Sequence, residues 1–225
     1  MALTLLHKIC FHSHVIGFVA LVCVFSAPAW LHLHSTEVYE GRHLAVDIGL
    51  MMKCIETEPS PYGGGDDDDC HFLHWSDFNG HLPGWVNGAR VMEGVSLYIM
   101  LVVVIVDIVM TCCRRCKTKW FLAQGILCLH AGMLSIAAVV MVNEYRHDLR
   151  KILPRDREYG WTTVSPHWAY YLACLNAGFL TLSGIYTLFA RNSGEESNRL
   201  VEKPPPYPSK PSSEYGTVQE TRIGN

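Results

Sequence analysis

The sequence predicts a mainly α-helical membrane protein with four transmembrane helices, and two observations support this fold class. First, the chain has 225 residues, 49% of them apolar and 17% charged, and the apolar residues are concentrated in four long runs. At ~1.5 Å rise per residue, each run is long enough to cross a hydrocarbon core of about 30 Å. Second, the run "VMEGVSLYIMLVVVIVDIVMT" lacks the polar stripe of helical period that a soluble surface helix needs.

The predicted membrane spans are 9–33, 91–111, 120–142 and 168–190. They leave an amino-terminal segment (1–8), a large first outer loop (34–90), a short loop (112–119), a second outer loop (143–167) and a polar tail (191–225). Lys8, the first apolar run and "SAPA" also fit a cleavable signal peptide. We expect the span to be retained, because its apolar run is longer than a usual signal core and continues past the cleavage site.

Basic residues set the predicted orientation. The short loop "CCRRCKTK" has four basic residues and no acidic one, the tail has five, and Lys8 precedes the first span. The first outer loop has two, with Arg90 at the membrane edge, although the second outer loop has five, which weakens the asymmetry. We still expect a plasma-membrane protein with both termini in the cytoplasm, because the motifs of the tail described below act only there.

The cysteines agree with this orientation. Cys54 and Cys70 are the only two in the large outer loop, where an oxidising environment would let them pair. Closing a loop of this size is worth ~3 kcal/mol in the chain-entropy model. Three cysteines at the cytoplasmic end of the second span are candidates for palmitoylation, since their Cys-x-x-Cys pattern lacks two further zinc ligands: Cys112, Cys113 and Cys116.

Small residues in the third and fourth spans predict a closely packed bundle, since they let helix backbones approach in lipid. They are Gly125, Ala131, Gly132, Ala173, Ala177, Gly178 and Gly184. The spans also contain polar residues, and five of them are candidates for a functional role. We expect Asp107 to reach interfacial water or an arginine and Glu93 to lie at the opposite mouth. Structural hydrogen bonds between helices are favoured over a transport pathway for Gln124, His130 and Asn176.

The sequence gives no sign of enzyme chemistry. It has no Ser/His/Asp or Cys/His order, no phosphate loop and no His-Glu-x-x-His pattern. The twelve histidines include dispersed pairs without a carboxylate or thiolate set at metal-ligand spacing. We therefore expect no catalytic residues, metal, cofactor or small-molecule substrate, and the net charge of -3 does not favour nucleic acid.

The order of motifs resembles that of the claudins. "APAW" ends the first span, "GLMMKC" lies in the outer loop before a second cysteine, and "GARVM" opens the second span. The matching positions within 18–191 include Trp30, Gly49, Leu50, Cys54, Cys70, Ala89 and Arg90. Met51 stands where the family has tryptophan, fifteen residues separate the cysteines instead of the usual eight to ten, and "ETRIGN" lacks the terminal hydrophobic residue that a PDZ domain buries.

The resemblance implies a left-handed four-helix bundle topped by a small antiparallel sheet made from the two outer loops. Trp30, Gly49 and Leu50 would anchor this sheet to the helices, and Cys54 and Cys70 would join two of its strands. The strand-like stretch "EVYEGRHLAVDIGLMM" and the turn-forming Gly63 to Gly65 give independent support.

For function, the resemblance implies a protein of cell-cell junctions that contributes to adhesion and to a paracellular barrier or selective path. Its partners would be like or related tetraspans in the same and the facing membrane, within membrane lipid. An alternative is an auxiliary or trafficking subunit of another membrane protein such as a channel. A third, less favoured hypothesis is an ion transporter that uses Asp107 and Glu93.

The first outer loop is strongly acidic, with ten acidic residues and two basic ones between 34 and 83. Four are contiguous: Asp66, Asp67, Asp68 and Asp69. A calcium loop of the EF-hand type needs alternating ligands and a distant glutamate, which this run does not provide. The remaining interpretations are a solvated tip and a charge filter that enriches cations.

The tail is too polar to form a core but contains two short motifs. Pro204, Pro205 and Tyr207 form a Pro-Pro-x-Tyr ligand for a WW domain, which binds a preformed polyproline helix. "YGTV", from Tyr215 to Val218, resembles a tyrosine-based sorting signal. Both motifs predict control of the surface lifetime of the protein.

Overall fold

The computed structural model describes residues 2–35, 44–57, 69–72, 84–113, 118–148 and 161–202. Within these ranges the chain forms four long helices: α1 (Ala2–Ser26), α2 (Gly84–Cys113), α3 (Thr118–Tyr145) and α4 (Trp168–Glu202). Each contains a segment long and apolar enough to cross a membrane. The predicted combination of four apolar helices with a small antiparallel sheet is therefore confirmed.

The helix limits differ from the predicted spans. Helix α1 ends at Ser26, and Leu31–Ser35 form a strand, although the first span was predicted to continue to residue 33. Leu31 and Leu33 extended the apolar run, but they are buried in the core beneath the sheet and do not belong to the helix. Helix α2 begins at Gly84 and not at residue 91, and α4 continues to Glu202.

Five strands form one antiparallel sheet at the end of the bundle where α1 ends and α2 begins, here called the sheet end. They are β1 (Leu31–Ser35), β2 (Leu44–Ile48), β3 (Met52–Thr57), β4 (Asp69–Phe72) and β5 (Trp161–Pro166), in the order β4-β3-β2-β1-β5. β2, β3 and β4 come from the first predicted outer loop, β1 lies at the boundary between that loop and the first predicted span, and β5 comes from the second outer loop. The sheet therefore joins the two loops, as the resemblance implies.

One face of the sheet packs on the helices. Alternate residues of β1, β2 and β5 lie in one buried cluster with residues of α1, α2, α3 and α4: Leu31, Leu33, Val46, Ile48 and Val164. The cross-strand partners Leu31 and Ile48 belong to this face. The other face is polar and includes the cross-strand pair His32 and Asp47.

Three of the predicted small residues bring α3 and α4 close together: Gly125, Gly132 and Gly184. A Cβ at Gly184 would lie 2.9 Å from the backbone nitrogen of Leu129 and 3.0 Å from the carbonyl oxygen of Gly125. A Cβ at Gly132 would lie 3.0 Å from the backbone nitrogen of Thr181. Gly178 is different, because no atom lies within 4 Å of the equivalent position there.

Candidate functional site

Arg90 connects the sheet to α2. It is buried, with 2% of its surface exposed, and its Nε donates a hydrogen bond of 2.6 Å to the carbonyl oxygen of Leu50. Its second guanidinium nitrogen donates to the same oxygen. Because this carbonyl belongs to the segment between β2 and β3, the arginine holds the centre of the sheet against the first turns of α2.

Trp30 connects three elements at the sheet end. Its indole Nε1 donates to the carbonyl oxygen of Val24, in α1, at 2.8 Å. Its backbone N–H donates to Ile48, in β2, at 3.1 Å, and its carbonyl accepts from the N–H of His167 at 3.0 Å. The first helix, the sheet and the start of α4 therefore have fixed relative positions around one buried side chain.

Gly49 allows the chain to pass close to the end of α1. A Cβ at this position would collide with the carbonyl oxygen of Ala27 and lie 2.7 Å from Cα of Pro28. Gly49 also donates its N–H to the carbonyl of Met52 at 2.8 Å. The neighbouring Leu50 is 3% exposed, so both predicted anchors of the Gly-Leu motif are buried at the contact between sheet and helix.

The predicted disulfide is present. Cys54 of β3 and Cys70 of β4 are cross-strand partners and are covalently joined. Asp69 is the first residue of β4. Phe72, the last residue of this outermost strand, is 70% exposed. The disulfide therefore holds the strand that presents the apolar side chain of Phe72 at one edge of the sheet.

A cluster that the sequence did not predict lies on the polar face of the sheet. His32 of β1, Asp47 of β2 and His167, just before α4, each offer one ligand atom, and these atoms all lie within 4.8 Å of one another. His32 Nδ1 donates to Asp47 Oδ1 at 2.7 Å. The alternation "LHLH" in β1 was the available sign that His32 lies on a polar strand face. His167 could not be linked to it, because it lies 135 residues further along the chain.

The opposite end of the bundle contains a buried polar network. His14 Nδ1 donates to Asp107 Oδ2 at 2.6 Å, and Gln124 Nε2 donates to Asp107 Oδ1 at 2.6 Å. The other ring nitrogen of His14 is 3.2 Å from the hydroxyl oxygen of Thr187. These four residues come from four different helices. The expectation that Asp107 would reach interfacial water or an arginine was wrong, since it is fully buried.

The other polar residues of the spans have separate roles. Glu93 accepts a hydrogen bond of 2.8 Å from Ser135 across α2 and α3, and Asn176 donates a long bond of 3.4 Å to the carbonyl of Gly17 in α1. His130 was expected to bond between helices. Instead it is exposed, and its Nδ1 is 2.8 Å from the carbonyl of Ile126 within its own helix.

Several predicted site residues lie outside the part of the chain that the structure describes. Cys112 is exposed near the end of α2, and Cys113 is the last residue of that helix. The residues outside are Asp66, Asp67, Asp68, Cys116, Pro204, Pro205, Tyr207, Tyr215 and Val218. The charge-filter, tail and part of the palmitoylation hypotheses therefore remain predictions.

Taken together, the described geometry is a disulfide-linked sheet held firmly on one end of a bundle of apolar helices. Such a sheet can present a fixed surface to another protein, because buried contacts with backbone groups limit its movement. Comparison with protein-family models finds no match, and comparison with curated proteins finds no match either. The claudin resemblance therefore enters below only as part of a proposal.

Proposed function

We propose that this protein is a claudin-like integral membrane protein of cell-cell junctions. Its sheet end faces outward, and the outer loops contact like or related tetraspans in the same membrane and in the facing one. The protein thereby contributes to adhesion and to a paracellular barrier or a cation-favouring path. Both termini are cytoplasmic in this proposal.

The observation that carries the proposal is the firm connection of the sheet to the bundle. Arg90, Trp30 and Gly49 connect it to the ends of α1, α2 and α4 through buried contacts. An adhesive surface must transmit force and hold a defined orientation, and this requires such a connection. A loop that only linked two spans would have no such need.

The outermost strand supports contacts with a neighbour. β4 pairs with β3 and with no other strand among the described residues, and it carries the exposed Phe72. An edge strand presents unpaired backbone groups that can pair with another chain. We therefore assign lateral contacts to the β4 edge of the sheet.

The acidic run that ends at the first residue of β4 provides the proposed preference for cations. Asp69 begins β4, so the run of four aspartates leads into the proposed contact edge. Carboxylates that line a narrow aqueous path enrich cations locally. In this proposal the charge filter directly precedes the contact edge along the chain.

The experiment expresses the wild-type chain in epithelial cells that lack junctional strands. We expect freeze-fracture strands and a change in transepithelial resistance. Replacing Asp66, Asp67, Asp68 and Asp69 together by Asn should lower the sodium over chloride preference in dilution-potential measurements without lowering surface expression. A matched control neutralises Glu195 and Glu196 in the predicted cytoplasmic tail and should leave the preference unchanged.

The outcome also separates this proposal from the alternative of an auxiliary subunit. Strands and a resistance change support a junctional protein. A stoichiometric complex with a channel, without any effect on cell contacts, would favour the auxiliary role and reject the junctional one. An unchanged dilution potential in the aspartate variant would reduce the acidic run to a solubility feature.

The tail provides the proposed route for turnover. Pro204, Pro205 and Tyr207 would bind WW-domain proteins, with Tyr207 in the aromatic groove. Tyr207→Ala should therefore abolish capture of a WW-domain protein by the full chain and prolong its residence at the cell surface. Equal capture of the variant and the wild type would reject this assignment.

A further inference from the structure

The cluster of His32, Asp47 and His167 has the composition of a metal site. One ligand atom from each lies within 4.8 Å of the others, and the rings of His32 and His167 are 5.7 Å apart between centroids. Three side chains at such distances can bind one ion after small rotamer adjustments. Two imidazole nitrogens with one carboxylate oxygen form a donor set that suits zinc.

The fold itself brings the three side chains together. His32 and Asp47 are directly opposite each other in the antiparallel pair β1 and β2, and cross-strand partners project from the same face of a sheet. Ser165 is the partner of His32 on the other side. His167 follows Ser165 by two residues, and its backbone N–H is fixed by the carbonyl of Trp30. The cluster therefore depends on the register of three chain segments.

One polar atom of the cluster has no partner. His167 Nδ1 is buried, and no hydrogen-bond partner for it lies in the described segments. Asp47 is also buried, with 8% of its surface exposed. A buried polar atom without a partner costs about 1–3 kcal/mol, and coordination of a metal through Nδ1 of His167 would satisfy it. This observation is independent of the distances within the cluster.

We propose that His32, Asp47 and His167 bind one zinc ion on the polar face of the sheet. The proposal concerns a site separate from the β4 edge and does not depend on the proposed junctional function. Calcium and magnesium are poorly suited, because they prefer sets made of oxygen ligands. Three protein ligands leave a further coordination position for water or another ligand.

The ion would connect segments that are far apart in the sequence. β1 and β2 follow α1, whereas His167 lies between β5 and α4. A zinc ion bound to all three would add a metal link between the two predicted outer loops, next to the main-chain pairing of β1 and β5. Its effect would be to stabilise the sheet where the loops join.

The test uses the full chain purified in detergent with its free thiols blocked, because Cys112 and its neighbours would otherwise bind zinc. Titration with zinc against a competing zinc indicator should give one bound ion per wild-type chain. His32→Ala and His167→Ala should each weaken zinc binding by about 100-fold or more, since loss of a partner that only supports a ligand already costs 10–100-fold. Millimolar calcium should not displace the ion.

The matched control is His71→Ala, which removes an exposed histidine from β4 of the same sheet. It should bind zinc like the wild type. Equal binding by the wild type and the His32→Ala/His167→Ala double variant would overturn the proposal, as would displacement by calcium.

X-ray absorption spectroscopy of the zinc-loaded wild type keeps the proposal testable if the variants do not fold. We expect two histidine nitrogens at about 2.0–2.1 Å from zinc. A coordination shell that contains sulfur, or one made only of oxygen, would overturn the assignment.

Discussion

The two ends of the bundle are held together by different kinds of contact. Where the sheet meets the helices, the anchoring side chains bind backbone groups: Arg90 donates to the carbonyl of Leu50 and Trp30 to that of Val24. At the far end, side chains bind side chains, with Asp107 between His14 and Gln124. A contact between a side chain and the backbone needs one specific residue. A contact between two side chains needs two.

This difference affects how each end responds to substitution. A backbone carbonyl is present whatever residue occupies the partner position, so the sheet-end contacts depend on a few residues with the correct shape and donors. Each contact at the far end fails if either partner changes, and the remaining polar group is then buried without a bond. We therefore expect steric constraints to dominate at the sheet end and hydrogen-bond pairing at the far end.

The largest expected effect is that of Gly49→Ala at the sheet end. The added Cβ would collide with backbone atoms of Ala27 and Pro28, and backbone cannot move aside as a flexible side chain can. We expect a loss of about 3 kcal/mol or more in the free energy of unfolding, measured by SDS-induced unfolding in mixed micelles.

Gly178→Ala is the matched control for that substitution. No atom lies within 4 Å of the position that its Cβ would occupy, and alanine is the better helix former. Its free energy of unfolding should be unchanged or slightly higher than that of the wild type. If both variants lost a similar free energy of unfolding, the close contact with Ala27 and Pro28 would not be the reason for glycine at position 49.

The second effect is that of Asp107→Ala at the far end. It removes the acceptor for both His14 and Gln124, which then remain buried without that partner. We expect a cost of about 2–3 kcal/mol, since two buried side chains lose their hydrogen-bond acceptor. The measurement is a double-mutant cycle with His14→Ala.

The cycle should give a coupling energy of about 1 kcal/mol or more between positions 14 and 107. His130→Ala is the control, because this exposed histidine bonds only within its own helix in the described contacts, and it should show no coupling to Asp107. Additive effects of His14→Ala and Asp107→Ala would contradict a pairwise contact at this end.

Some contacts at the two ends could be predicted from the sequence and others could not. The disulfide was expected because Cys54 and Cys70 share the first outer loop, and the family resemblance implied Trp30, Gly49 and Leu50 as anchors. The hydrogen bonds of Arg90 to the carbonyl oxygen of Leu50 were not expected. The residue partners of Asp107 were not expected, since His14 is 93 residues away along the chain and only the assembled bundle brings the two together. The cluster of His32, Asp47 and His167 was missed for the same reason, because it requires the register of β1 with β2 and β5.

The end of the first span illustrates a different limit. Hydropathy measures the preference of a side chain for an apolar environment, and Leu31 and Leu33 have this preference whether they face lipid or the core beneath a sheet. The alternation of leucine and histidine from residue 31 to 34 was the available signal of a strand. The continuous apolar run before it made the change from helical to strand periodicity hard to detect.

The smallest expected effect distinguishes the two buried carboxylates of α2. Asp107 uses both carboxylate oxygens, whereas Glu93 uses one with Ser135 and its Oε1 has no partner among the described residues. In Asp107→Asn, one oxygen becomes an NH₂ group that faces a donor, so we expect a loss of about 1–2 kcal/mol. In Glu93→Gln, the remaining oxygen can still accept from Ser135 and the new NH₂ replaces an oxygen that had no bond. Its free energy of unfolding should change by less than about 0.5 kcal/mol. A loss as large as that of Asp107→Asn would mean that Oε1 of Glu93 has a donor beyond the described contacts.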